Sequence, residues 1–172
     1  MYLIAEIGVN FYDVAKKYNI SPMDACKLMI VEAKNSGAHC VKFQSYKADT
    51  LTVKDAPAYW DLTKEPCSNQ HALFKKHDSF NEEDFKQLYL FCKKTKIDFL
   101  STPFDVKSAN YLDKYQDKYK ISSSDITNFQ LLKTVASKKK PVLLSTGASD
   151  INEIKKAVNF LEINGCPKII IM

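Results

Sequence analysis

Short apolar runs separated by stretches of helical spacing constrain this chain more than any other feature. Tyr2–Ile7, Cys40–Phe43, Ile97–Leu100, Tyr119–Ser122, Val142–Ser145 and Ile169–Met172 are each the size of a strand. Ser21-Pro22 supplies an N-cap followed by proline at the first helical position. Ala25, Leu28, Met29 and Ala33 follow at helical spacing, and Gly37 stands where a C-terminal cap belongs. Asn81, with Glu82, Glu83 and Asp84 behind it, opens a helix to about Thr95. Further helices are expected from Lys107 to Tyr115, from Thr127 or Asn128 to Ser137, and from Ser149 or Asp150 to Glu162. A βαβα alternation of this kind predicts an α/β fold with a parallel sheet flanked by helices. The stretch Ser45–Phe80 is too long and too aromatic for an ordinary connection, which makes it a candidate functional loop.

Both faces of a parallel sheet are normally buried, so its strands should read as unbroken apolar runs. These strands break that rule near their carboxyl ends. Glu6 ends the first, Lys42 and Gln44 sit in VKFQ, and Thr102 follows FLS. Lys120, Ser123 and Asp125 lie in KISSSD, and Ser145 closes VLLS. Alternation along a strand puts Glu6 with Ile4, Lys42 with Gln44 and Lys120 with Ser122, while Val41, Phe43, Tyr119 and Ile121 point to the opposite face. Helices would cover the apolar face, leaving the polar face to line a barrel interior. Any one of these serines reads equally well as a hydrogen-bonded core group. A buried ammonium does not, because it costs several kcal/mol unless paired. Two lysines and a glutamate at equivalent strand ends therefore predict a net-cationic site at the carboxyl end of the sheet, where parallel α/β folds place their chemistry.

Composition narrows the ligand. The net charge is +5, and all 25 basic residues are lysine. Lysines alternating with acids, as in Asn81–Lys96, read as solvated helix faces, and without arginine a sequence-reading nucleic-acid binder is not expected. The five cysteines are scattered without a CxxC pair, and His39, His71 and His77 form no ligand pattern, so no metal site is assigned. No apolar run approaches the roughly 20 residues of a membrane span, and MYLIAEIG lacks the basic start of a signal peptide, so a cytoplasmic location is expected. GxGxxG, GxxxxGK[ST] and GxSxG are all absent. Lysines and hydroxyls suited to phosphate and carboxylate oxygens, with carboxylates able to direct water or a proton, predict chemistry on a small phosphorylated acid.

AEIGVN at Ala5–Asn10, VKFQSYKA at Val41–Ala48, FLSTPFD at Phe99–Asp105, KISSSDITN at Lys120–Asn128 and PVLLSTGAS at Pro141–Ser149 resemble, in order, the strand-end motifs of N-acetylneuraminate (sialic acid) synthases. The resemblance implies a TIM-type barrel that condenses phosphoenolpyruvate with N-acetylmannosamine or a related aldose, releasing phosphate, with manganese or magnesium on the sugar aldehyde. It implies that Lys42 and Lys120 hold phosphoenolpyruvate, that Thr102, Ser123 and Ser145 donate hydroxyls, and that Gln44 stands beside the first lysine. Glu6 and Asp125 take the acidic, catalytic positions. Legionaminate and pseudaminate synthases share the phosphoenolpyruvate motifs and remain alternatives. So do a non-catalytic assembly module and an open flavodoxin-like sheet that binds a phosphorylated ligand. The protein partner expected is a second copy or a complementing chain.

Two local departures bear on the site. Many family members carry an Asn-His-Asn-Gly-like run after the first strand, where this chain reads Gly8-Val9-Asn10-Phe11-Tyr12-Asp13, and Ser124 stands where glycine is usual. A barrel of this type takes roughly 250 residues, whereas about six strands are legible in these 172. Residues 1–172 are therefore expected to form a partial barrel domain, from a truncated or split reading frame, without the family's later metal-binding histidines or its antifreeze-like domain.

Overall fold

A computed structural model describes all 172 residues. Its elements run β1 (Ile4–Gly8), α1 (Phe11–Tyr18), α2 (Pro22–Asn35), β2 (Cys40–Ser45), α3 (Ala48–Leu51), α4 (Gln70–Lys76), α5 (Glu82–Thr95), β3 (Asp98–Pro103), α6 (Val106–Leu112), β4 (Tyr119–Ile121), α7 (Phe129–Ser137), β5 (Val142–Leu144), α8 (Ile151–Ile163) and β6 (Ile169–Ile171). A single 3-10 turn, Ser123–Asp125, follows β4. All strand pairs are parallel and neighbours follow chain order. No helix is long and apolar enough to cross a membrane.

The hydrogen-bonded ladder divides into β1-β2-β3 and β4-β5-β6 rather than running continuously. β3 and β4 still lie side by side. Beside the break the amide of Ser101 on β3 donates to Gln116 Oε1 at 2.9 Å, a side chain just before β4.

Helix ends follow the capping chemistry. Ser21 caps α2 with Pro22 in its first turn, and Gly37 takes φ +85° just past its end. Asn81–Asp84 and Asp150–Glu153 form reciprocal capping boxes on α5 and α8. Asn128, not Thr127, caps α7. Two features depart from expectation. Helix α1 fills what reads as a connection, because Phe11 and Ala15 pack into the core although Asn10 makes no side-chain cap. The Ser45–Phe80 stretch carries two short helices, α3 and α4, and one antiparallel bridge, Pro57 to Asn69.

The outward strand face is apolar apart from the buried Ser45–Ser101 hydroxyl pair. Ile7, Val41, Phe43 and Phe99 pack under α1, α2 and α5; Tyr119, Ile121, Val142 and Leu144 pack under α7 and α8. A small separate cluster of Cys40, Leu100 and Leu143, with Ile4 against it, lies apart from these two. Leu100 is level with Lys42 and Leu143 with Lys120, so apolar neighbours flank both lysines.

Candidate active site

Strand register assembles the site. Glu6 lies opposite Lys42, Lys42 opposite Leu100, and Gln44 opposite Thr102, so the inward side chains of three strands meet in layers. The Glu6 carboxylate forms an ion pair with Lys42 Nζ, which also donates to Thr102 Oγ1 at 3.2 Å. The Lys42 side chain is 13% exposed and that of Glu6 45%. Lys120, opposite Leu143 on β5, faces the same interior and is only 7% exposed. Its ammonium donates to the Ile121 carbonyl at 2.6 Å.

Two ammonium groups therefore share one carboxylate. Burial pushes the Lys120 pKa down to about 8; the Lys42 charge pushes the same way, and Glu6 opposes both. Lys120 therefore lies within electrostatic reach of both Lys42 and Glu6. The Lys120 head has no carboxylate partner of its own.

The remaining residues surround this group. Gly8 (φ +58°) lies so close that a Cβ there would sit 3.1 Å from Glu6 Oε1 and 3.3 Å from Gln44 Nε2. A Cβ on Gly147, just past β5, would sit 3.6 Å from Ser123 Oγ, which brings the turns after β4 and β5 together. Ser145 closes β5, its amide donating to the Ile121 carbonyl at 3.1 Å. Asp125, 8% exposed, accepts from Asn128 Nδ2 at 3.3 Å and from Ser124 Oγ at 3.4 Å. Burial raises its pKa, and those two hydrogen bonds oppose the rise. The hydroxyl of Ser124, the residue standing in place of glycine, is thus one of the groups that orient the acid.

Gly8→Ala is expected to destabilise the fold by about 1–2 kcal/mol, since an L-residue is strained in the left-handed region. It should also displace Glu6 and Gln44, so that ligand affinity falls by more than stability alone explains. Urea denaturation alongside calorimetric titration of phosphoenolpyruvate checks both effects; an unchanged variant would place those side chains elsewhere.

A cavity of about 490 Å³ opens beside this group, lined by Gln44 and Asp125 and by Tyr46, Tyr59, Phe74 and Phe104. Most of its aromatic wall went unnamed in the sequence. The aromatic density of residues 45–80 was the available signal, but only the folded chain shows that Tyr59 and Phe74 reach the strand ends. No three His, Cys, Asp or Glu side chains converge to hold a cation. His39 accepts from the Leu3 amide, His71 pairs with Asp49 and His77 packs on Tyr12, all outside this group. The residues present do not fit a divalent ion.

Comparison with known proteins identifies the family. A model of the NeuB family matches residues 29–172. The chain is 35% identical over 168 residues to N,N'-diacetyllegionaminic acid synthase of Campylobacter jejuni, covering 96% of this chain and 48% of that protein. It is 29% identical over 166 residues to N-acetylneuraminate-9-phosphate synthase of Drosophila melanogaster, covering 96% and 42%. The crystal structure of the N-acetylneuraminic acid (sialic acid) synthetase from Leptospira borgpetersenii superposes with a TM-score of 0.76 at 26% identity, over 99% of this chain and 53% of that one. The chain spans about half the length of the curated relatives it matches.

Proposed function

This chain belongs to the NeuB family, and we propose that it carries the phosphoenolpyruvate half of a sugar-acid synthase site. The observation that carries the reading is the pair of nearly buried lysines facing one carboxylate. A pocket holding more positive than negative charge favours an anion close by, and phosphoenolpyruvate brings a phosphate and a carboxylate on one small frame. Lys42 and Lys120 bind those two groups, and Thr102, Ser123 and Ser145 add neutral donors. Gln44 holds the reacting end.

In the reaction, water adds to C2 of phosphoenolpyruvate while C3 forms the new carbon–carbon bond to the aldehyde carbon of an acylamino sugar. The resulting centre at C2 carries both hydroxyl and phosphate; the C2–O bond to phosphate breaks, and a keto acid and inorganic phosphate leave. Glu6, already facing Lys42, directs the water. Asp125, with its raised pKa, holds and passes a proton at the aldehyde oxygen. Fixed cations where negative charge moves supply the electrostatic part of the catalysis. The divalent ion expected from the resemblance has no complete ligand set among these residues, and no step here passes through one. On this reading residues 1–172 are one part of a TIM-type barrel, and a complementing chain or segment completes the reaction.

Calorimetric titration of the 172-residue chain with phosphoenolpyruvate tests this. Saturable one-to-one binding is expected, and its absence would overturn the assignment. Phosphate release from phosphoenolpyruvate plus N-acetylmannosamine, with manganese or magnesium added, is expected to stay at background for this chain alone. Turnover at rates typical of enzymes would remove the need for a complementing part.

A further inference from the structure

Because every strand pair is parallel, the helix-to-strand connections gather at the amino ends of the strands, opposite the candidate site. With the last helical turns that lead into them, and Asp98 at the foot of β3, they are residues 32–39, 92–98, 109–118, 134–141 and 160–168. They hold nine lysines and five acids, leaving aside Lys114, whose amine reaches Glu82 at the far end of α5. The remainder of the chain is nearly neutral, with 16 lysines and 15 acids. Most of the net charge of +5 therefore sits on one face. Of its nine lysines only Lys140 has a carboxylate partner, Asp113. Lysines in a last helical turn, such as Lys93 and Lys94, complement the helix dipole. Lys118, Lys139 and Lys168 lie beyond their helix ends, so the dipole does not account for them.

Apolar side chains stand exposed on the same face. Leu3, just before β1, is 46% exposed, and Ile163, at the end of α8, is 72% exposed. The Lys118 ammonium lies 5.1 Å from the centre of the half-exposed Tyr2 ring, and Lys168 lines the same cleft as both. Lysines without carboxylate partners, set among tyrosine and leucine, match the surface of an acidic bilayer. There lipid phosphates and carboxylates meet the amines, and apolar tips enter the headgroup layer. A nucleic acid would supply phosphates but no layer for Leu3 and Ile163, and its base edges are read mainly by arginine, which the chain lacks. We propose that the amino face of this protein docks on an anionic lipid bilayer. The contact is peripheral and made by side chains alone. It turns the carboxyl ends of the strands, with Lys42 and Lys120, toward the aqueous side, so docking leaves the candidate site open.

Co-sedimentation of the 172-residue chain with vesicles tests this. Phosphatidylcholine vesicles with about 30% phosphatidylserine should pull the chain down at about 0.05 M salt, and pure phosphatidylcholine should not. Raising the salt to about 0.5 M should weaken binding at least tenfold, because it screens the attraction between lysines and headgroups. The quadruple variant Lys93→Glu, Lys94→Glu, Lys139→Glu, Lys168→Glu should abolish binding. A second, Lys54→Glu, Lys64→Glu, Lys155→Glu, Lys156→Glu, makes the same change in net charge away from this face and should keep most of it. Leu3→Ser, which leaves the charge alone, should weaken binding severalfold. The lysines changed are all exposed, and the comparison of vesicles on the unaltered chain decides the matter whatever the variants do. Equal binding to both kinds of vesicle, binding to neither, or binding that salt leaves intact overturns the proposal. So does an equal loss in the two quadruple variants, or a Leu3→Ser variant that binds as the parent does. Tighter binding of double-stranded DNA or polyglutamate than of phosphatidylserine vesicles would assign the face to another class of partner, and the proposal would fall.

Discussion

Replacing Lys120 by methionine is expected to stabilise the free protein by about 1–3 kcal/mol at pH 7 while weakening phosphoenolpyruvate binding roughly hundredfold or more. The two effects share one cause. The Lys120 ammonium is nearly buried, donates to the Ile121 carbonyl, and lies within reach of a second ammonium. Its pKa of about 8 in the folded state is a measure of that discomfort. A lysine in the unfolded chain titrates near 10.4, so holding the charge inside costs about 3 kcal/mol below pH 8. Methionine keeps most of the volume and removes the charge.

The pH dependence follows with a definite sign. Between pH 8 and about 10.4 the unfolded chain binds more protons at this position than the folded one, so stability rises with pH across that window. Below pH 8 the penalty is constant. Ligand binding moves the other way, because the anion needs the ammonium, and affinity should fall as pH climbs through 8. Urea denaturation at pH 7 and 9.5, with titrations at the same values, separates the unaltered chain from the methionine variant. Lys120→Met should show neither the rise in stability nor the fall in residual affinity that this group causes. A variant that is less stable than the parent, or that binds as tightly, would mean that Lys120 is a satisfied core lysine and not half of an anion site.

That lysines of two strands turn inward together was legible in the sequence, and the reason is local. Strand alternation is strict, so Lys42, Gln44 and Lys120 had to share a face turned away from Val41, Phe43, Tyr119 and Ile121, and the register puts them there. Caps were equally legible at Ser21, Asn81 and Asp150, where one side chain satisfies backbone amides a few residues on. What was not legible depends on contacts distant in the chain. Helix α1 has eight residues and no side-chain cap, and it is held by burying Phe11 against Phe43 and Phe80. The 45–80 segment owes its shape to bonds such as Trp60 Nε1 to the Glu65 and Cys67 carbonyls and Asn69 Nδ2 to the Lys54 carbonyl. No periodicity announces these. The cavity wall draws on residues from Gln44 to Asp125 and could be recognised only once folded.

Lys42→Met should weaken phosphoenolpyruvate binding as severely as the change at Lys120, again roughly hundredfold, but with no gain in stability. Lys42 has partners that Lys120 lacks, the Glu6 carboxylate and the Thr102 hydroxyl. Removing it leaves Glu6 half exposed to water, which solvates the orphaned carboxylate and confines the loss to about 1 kcal/mol. The diagnostic effect appears at the other lysine. The Lys42 charge depresses the Lys120 pKa and the Glu6 charge raises it. In Lys42→Met the pH at which residual affinity falls should therefore move above 8; in Glu6→Gln it should move below. Opposite shifts from two substitutions on neighbouring strands require the three groups to occupy one electrostatic unit. Titrations across pH 6.5 to about 9.5, at the low ionic strength where charge coupling is least screened, measure both. An edge that stays in place in both variants, or that moves the same way in both, would separate the lysines and remove the single anion site on which the proposed chemistry is built.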